Sequence, residues 1–549
     1  MEPHLAPRGP LTRRDRLRRL PPAAPPKRLL VAALLAAVVA GCSGGGEQSR
    51  PIGEPVADEH ALVVTPQKLG AAVAQLDADV ADVMERSGVP GVAVAVVADG
   101  EVVHARGYGV RNIDEPDRVD ADTVFPLASL SKSVGSAVVA SIVGDGLIDW
   151  ADPVHEDDPG LVLSDPWVTD HVTYADLYAH RSGLPDHAGD LLEDIGYDRA
   201  EVIERLRFLP LSPFRASYHY TNFGLTSAAE AAAGAAGTTW EQASQERLYG
   251  PLGMTSTSSS FEDFLAEPNR VSGHVPVDAE GDEWQVSEQQ RQPDAQSPAG
   301  GVTSSVNDLA RWMQMELDGG ELDGRTILDA EALAETHLPH VVSNPPSTPD
   351  GRAGFYGLGF NVGYDDAGRL RLGHSGAFAL GAGTAFAMLP SEDLGIVVLT
   401  NGAPLGVAET VTETFMDRAT AGAPSRDWYE FMRPRFEPLV FPEADPELES
   451  PPDPEPPAAL ADYAGTYSNE WIGAVEVAEV DGSLVLTIGP DGQEYELQHH
   501  DGDVFTWQFR GENAGARAAV TFERDGGGPA TAVTLATFDE DGLGTLERI

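Results

Sequence analysis

Phe125-Pro126-Leu127-Ala128-Ser129-Leu130-Ser131-Lys132 is the stretch on which the reading of this chain turns. A hydroxyl and an amine stand three residues apart, ahead of a run of small residues (Ser133, Gly135, Ser136, Ala137, Ala140). On a helix, positions i and i+3 share a face, which sets Lys132 beside the Ser129 hydroxyl. Serine is a poor nucleophile until a base takes its proton, and a desolvated, neutral lysine amine is such a base. A lone Ser-x-x-Lys arises often by chance. Lysine, however, is scarce here: the chain has three, Lys27, Lys68 and Lys132. Arginine does the remaining basic work, and arginine cannot accept a proton near neutral pH.

Working outward, 549 residues hold two or three domains with ample core. The formal charge of −51 argues against nucleic acid as a partner, because phosphate backbones need basic surface. It reads as a solvated acidic shell. The sequence has no His-Glu-x-x-His or equivalent ligand spacing and no Gly-x-x-x-x-Gly-Lys loop, so neither metal nor cofactor is expected.

The one cysteine, Cys42, admits no intramolecular disulfide. Upstream lie a basic segment (Arg13, Arg14, Arg16, Arg18, Arg19, Lys27, Arg28) and an apolar run, Leu29 to Ala40, too short for a comfortable membrane span. Basic flank, short apolar core and small residues read as a secretory signal. Val39-Ala40-Gly41-Cys42 resembles the bacterial lipobox, in which the cysteine is lipidated. Cys42 is therefore the expected lipidation site, with the protein on the extracytoplasmic face of a bacterial membrane, anchored without spanning it. The domains expected are a signal peptide over 1–41, a flexible tether over 42–65, a hydrolase domain over 66–435, a Pro/acidic linker over 436–458 and a small barrel over 459–549.

Along the chain, Lys68 to Arg86 has helical spacing, and Val92 to Val97 and Val102 to Tyr108 form a hairpin about Asp99-Gly100. From Leu147 to Thr303 helices and loops dominate. Strands return at Tyr356–Val362, Arg369–Gly373, Gly383–Leu389 and Gly395–Thr400. Strands at both ends with helices between imply one sheet completed by both termini, with a helical domain inserted. Beyond the linker, regular Asp-Gly turns punctuate short alternating runs, the pattern of a small antiparallel barrel or sandwich. The fold class is α+β: an antiparallel sheet flanked by helices with a mostly helical insert, then a small all-β barrel.

Two further fragments make a constellation. Tyr220-Thr221-Asn222, on a loop that leads into a helix read from Asn222 to Ala233, offers a phenol to relay a proton and an amide to hold Lys132 or the substrate. His374-Ser375-Gly376 falls on a strand of the returning sheet, where glycine lets a substrate backbone approach closely.

The order Ser-x-x-Lys, Tyr-x-Asn, His-x-Gly resembles the serine β-lactamase and penicillin-binding-protein superfamily. The closest look is to its class C-like branch of D-Ala-D-Ala carboxypeptidases, D-aminopeptidases and β-lactamase-fold esterases. His180-Arg181-Ser182-Gly183-Leu184-Pro185, Ser297-Pro298-Ala299-Gly300-Gly301, Tyr356-Gly357-Leu358-Gly359-Phe360 and Gly395-Ile396-Val397-Val398-Leu399-Thr400-Asn401 also resemble this family. The resemblance implies Ser129 as nucleophile, Lys132 as its neutral base, Tyr220 as proton donor to the leaving group and Asn222 as the residue that orients Lys132 and the substrate. It implies an oxyanion hole from the N–H groups of Ser129 and Ala377, with His374, Ser375 and Gly376 lining the substrate site. Leu460 to Tyr467 resembles the start of a lipocalin-like module. The implied substrate is a small molecule or peptide, cell-wall peptide included, carrying the amide or ester to be cleaved.

One position departs from the pattern. Many members have a lysine where His374 stands, which supplies charge for a substrate carboxylate. A histidine is only partly charged near neutral pH, so peptidase or esterase activity is expected over efficient β-lactam turnover. A catalytically weak penicillin-binding or sensing module of the same fold is the alternative. An α/β-hydrolase using Ser375 is disfavoured, because Gly373-His374-Ser375-Gly376-Ala377 ends in Ala and lacks the strand–turn–helix setting.

Overall fold

The computed structural model describes residues 62–549 apart from 279–282, 444 and 450. The signal segment, Cys42 and most of the tether lie outside the described residues.

The chain opens on helix α1 (Pro66–Ser87), whose Thr65 side chain caps the Lys68 N–H at 3.2 Å. Ala72, Leu76, Val80 and Val83 recur at helical spacing and are buried. Strands β1 (Gly91–Ala98) and β2 (Glu101–Gly109) follow as a hairpin. Helix α2 (Leu130–Gly144) carries Lys132 and is buried on nearly every side, so its small residues serve close packing. The helical insert contains α3 (Asn222–Ala235), and α4 (Val306–Leu317) is capped by Ser305.

The sheet is then completed by β3 (Val341–Asn344), β4 (Gly354–Tyr356), β5 (Asn361–Tyr364), β6 (Leu370–Phe378), β7 (Ala382–Leu389) and β8 (Leu394–Thr400). The order across it is β2-β1-β8-β7-β6-β5-β4-β3, so strands from both ends of the domain meet where β1 pairs with β8. Every residue of β1, β7 and β8 is buried, because α2 and the insert cover one face and α1 with α5 (Val407–Ala421) cover the other.

The stretch Tyr356 to Val362 is two strands rather than one. The Gly357 N–H bonds to Phe360 O at 2.8 Å and closes a hairpin. The hydroxyls of Ser133 and Ser136 on α2 take the carbonyls of Gly359 (2.6 Å) and Leu358 (2.5 Å), which pulls this turn inward. The linker expected from 436 also starts later. Helix α6 (Trp428–Val440) crosses that boundary, with Pro434 and Pro438 inside it, and seats Trp428, Met432 and Phe436 together.

The C-terminal strands, from Gly465–Asn469 to Thr545–Arg548, close into an eight-stranded antiparallel barrel. Tyr463, Tyr467, Trp507, Phe505 and Phe522 are buried in it.

Candidate active site

Ser129 sits at the entry to α2, and the residue before it, Ala128, is held at φ 47°. A buried non-glycine residue in the left-handed region is strained by roughly 1–3 kcal/mol and marks a turn imposed by its surroundings. The turn aims the Ser129 side chain out of the helix start while Lys132 follows one turn later.

Lys132 Nζ lies 3.2 Å from Ser129 Oγ, 2.7 Å from Asn222 Oδ1 and 2.9 Å from Ala299 O. Asn222 is the first residue of α3, and its Nδ2 donates to Asp190 Oδ2 at 2.8 Å. That contact fixes the amide, so Oδ1 is the atom facing Lys132. Two pure acceptors, Asn222 Oδ1 and Ala299 O, use both hydrogens of a neutral amine and leave its lone pair for Ser129. Complete burial lowers the Lys132 pKa to about 7, with the Asp190 charge pulling the other way. The fall from 10.5 is worth roughly 5 kcal/mol between the two protonation states.

The Tyr220 hydroxyl donates to Ser129 Oγ at 2.8 Å. Burial raises its pKa, so the phenol keeps its proton at neutral pH. His187 N–H bonds to Tyr220 O at 2.8 Å, and Tyr220 N–H to Asp186 Oδ1 at 2.7 Å, which seats the residue on the turn that follows His180–Pro185.

Strand β6 lies across the cleft. Its pairing with β5 ends at Gly373, so among the described residues the cleft-side edge from His374 to Phe378 has no strand partner. A Cβ at Gly376 would meet Leu127 O and Thr384 Oγ1 at 2.4 Å and Ser129 N at 2.9 Å. Only glycine allows β6 this close to the Ser129 N–H.

Side chains alternate along β6. His374 stands opposite Phe386 on the α2 face, whereas Ser375 stands opposite Ala385 on the α5 face. The Ser375 hydroxyl bonds to Glu409 of α5, a buried carboxyl raised to about 7 by desolvation. As a substrate-lining side chain Ser375 is therefore corrected: it supports the strand from behind. His374 is corrected in charge. Its Nδ1 faces Ser375 O at 2.7 Å and its Nε2 faces the Tyr356 hydroxyl at 2.8 Å. Burial first, and the Lys132 charge second, lower its pKa to about 3, so the ring is neutral rather than partly charged.

Several members of this site were not singled out from the sequence. Asp190 lies behind Asn222, Ala299 supplies only a carbonyl, and buried His180 packs its ring 4.6 Å from Tyr220 and 4.8 Å from Tyr356. The His180-to-Pro185 fragment was the available signal for His180. Nothing local marks Asp190. Among the described residues no group of His, Cys, Asp and Glu is placed to hold a metal ion.

Residues 76–421, more than half of the chain, match the family model described as Beta-lactamase. The chain belongs to the Beta-lactamase family. Residues 449–545 match a second model, a domain of unknown function (DUF3471). This Beta-lactamase family member is 28% identical to the unguisins hydrolase ungD of Aspergillus violaceofuscus, over 76% of this chain and 80% of that one. It is 28% identical to penicillin-binding protein 4 of Amycolatopsis lactamdurans, over 70% of this chain and 94% of that one. Among solved structures it is similar in fold to the octameric penicillin-binding protein homologue from Pyrococcus abyssi. That likeness has a TM-score of 0.54 and 20% identity, over 84% of this chain and 98% of that one. The chain is thus a β-lactamase-fold serine hydrolase with a closed C-terminal barrel.

Proposed function

We propose that the protein is a lipid-anchored hydrolase outside the bacterial cytoplasm, working through an acyl-enzyme on Ser129 with a peptide, amide or ester substrate. The observation that carries this reading is the Lys132 amine. It is buried, has both hydrogens engaged by carbonyl oxygens, and presents its lone pair to Ser129 Oγ at 3.2 Å.

The steps follow from the contacts. Ser129 gives its proton to Lys132 as Oγ bonds to the substrate carbonyl carbon. The N–H groups of Ser129 and Ala377 receive the charge that develops on the carbonyl oxygen. As the carbon–leaving-group bond breaks, Tyr220 donates its proton to the departing atom and regains one from Lys132, since both touch Ser129 Oγ. Water then attacks the ester; the same pair takes one of its protons and delivers it to Ser129 Oγ as the acyl C–O bond breaks, releasing the acid and the free serine. Asn222 and Asp190 hold Lys132 throughout.

The neutral His374 offers no charge to a substrate carboxylate, which favours peptides and esters over anionic β-lactams. The relative named as an unguisins hydrolase supports a hydrolytic outcome, and the one named as penicillin-binding supports an acyl-enzyme. Labelling of the intact protein by a fluorophosphonate, abolished in Ser129→Ala, is the expected result; equal labelling of both sinks the reading. An adduct that forms and never clears, with no turnover of p-nitrophenyl acetate, would move the assignment to the penicillin-binding alternative. For the anchor, incorporation of labelled palmitate into the full chain, lost in Cys42→Ser, is expected. Incorporation unaffected by that change overturns it.

A further inference from the structure

The barrel touches the hydrolase domain at several points, with Ile472 O accepting the Tyr197 hydroxyl and Gln493 donating to Asp194 O, and among them is its Gly511–Asn513 segment. Glu512 accepts the Ala379 N–H at 2.6 Å on Oε1 and the Leu380 N–H at 3.4 Å on Oε2. Those two residues open the turn between β6 and β7, just past Ala377. The segment is gripped from its other side by Asp194, which accepts the N–H groups of Glu512 (3.1 Å) and Asn513 (2.8 Å) and the Asn513 side-chain amide (2.9 Å). Gly511, at φ 123°, lies against Asp194, where a Cβ would stand 2.8 Å from Cγ. Only glycine lets the loop come this close.

Behind Glu512 lies Arg291, a mostly buried cation facing Glu193, Asp194 and Glu512. Gln296 donates to Glu193, and three residues further on Ala299 O holds Lys132. One run of contacts therefore leads from the barrel to both sides of the site: the β6 edge and the Lys132 amine.

We propose that Glu512 is a positioning residue for the Ser129 reaction: a carboxyl group supplied by the barrel pins the β6–β7 turn and so aims the Ala377 N–H at the substrate carbonyl oxygen. The proposal rests on the Ser129 reading. Its physical ground is that, among the described residues, β6 has no strand partner on its cleft side beyond Gly373. The last residues of β6 have β7 as their strand partner, with Phe378 packed on Ala128 and beneath Arg291, and the Glu512 bonds fix the turn that follows. Oxyanion donors act only when fixed in advance, and small misplacements cost large factors in rate.

The test uses the full chain with p-nitrophenyl acetate, and hydrogen exchange at the Ala379 and Leu380 amides. Glu512→Ala is expected to lower kcat about 10- to 100-fold with KM within about twofold, and to speed exchange at both amides. Glu512→Gln keeps one carbonyl oxygen for Ala379 and is expected to recover most of kcat while leaving Leu380 fast. Asp481→Asn, at a hairpin tip of the barrel, is expected to change neither. Unchanged kcat and unchanged exchange in Glu512→Ala overturn the proposal, as does equal loss in the Ala and Gln variants. Should the Ala variant not fold, the Gln variant decides by itself: no faster exchange at Leu380 is a refutation. If the wild type neither turns over ester nor takes a fluorophosphonate, the Ser129 reading fails, while the exchange rates still judge the clamp.

Discussion

The Tyr356 hydroxyl lies 2.8 Å from His374 Nε2. Because Nδ1 faces the carbonyl of Ser375, it carries the ring hydrogen, and Nε2 accepts from the phenol. Both nitrogens are engaged in the neutral form. His374→Leu should therefore remove no positive charge. The ratio of kcat/KM for nitrocefin to that for p-nitrophenyl acetate is expected to stay within about twofold, while the orphaned Tyr356 hydroxyl costs about 1–3 kcal/mol in urea unfolding. A collapse of that ratio would show that the imidazole carries charge for the substrate.

Lys132 is charged below its pKa and free to accept a proton above it. The acylation kcat/KM should rise with one ionisation near pH 7 and then hold, since burial keeps Tyr220 protonated well into the alkaline range. Lys132→Arg places a permanent cation there and should cut acylation by about 10²–10⁴-fold. A pH-independent rate between 5 and 9 would be incompatible with the amine as base.

Asp190 opposes the burial effect by favouring the ammonium form of Lys132. Asp190→Asn should lower the Lys132 pKa and move the acid limb of the profile below 7, preserving activity at pH 6 relative to the plateau. Asp190 also meets His187 Nδ1 at 2.9 Å and holds that ring's pKa up, so the variant should release His187 as well. A limb that moves upward would contradict this assignment.

Much of the fold could be read in advance because its signals are local. Helix α1 covers the helical spacing seen from Lys68 to Arg86, and β1 and β2 pair as the hairpin signalled by Asp99-Gly100. The α6 helix was missed because Pro434 and Pro438 argue against a helix, and packing of Trp428, Met432 and Phe436 overrides them. The site was legible as far as single residues announce themselves: a scarce lysine, a phenol, a glycine. Ser375 was misassigned because alternation along β6 decides which face a residue takes, and one position separates cleft from support. Asp190, Ala299 and Glu512 act across long stretches of chain, through a second contact or a backbone atom, and no spacing rule reaches them.

Gly376→Ala would drive a methyl into Leu127 O and Thr384 Oγ1. Neither is the free end of a flexible chain, so β6 must retreat from Ser129. A loss of about 1–3 kcal/mol of stability is expected, together with loss of fluorophosphonate labelling. Full labelling at wild-type rate would show that the strand need not be so near.

Arg291 is the cation set between Glu193 and Glu512, whose pKa values burial raises from 4.5 to about 7 and about 8. These carboxyls hold protons in the folded chain that the unfolded chain releases, so their contribution to stability falls as pH rises from about 4.5 to 8. Arg291→Met should cost about 3–5 kcal/mol at pH 8 and much less at pH 5. Thermal melts at the two pH values check this, and an equal loss at both would refute it.

The rings of Tyr463, Tyr467, Phe505, Trp507 and Phe522 fill the inside of the C-terminal barrel. Eight strands enclose a bore only wide enough for side chains or one small guest, and here aromatic groups take that space. With its interior given over to those rings, the barrel meets the enzyme through its edge, where Ile472, Gln493 and Glu512 make their bonds.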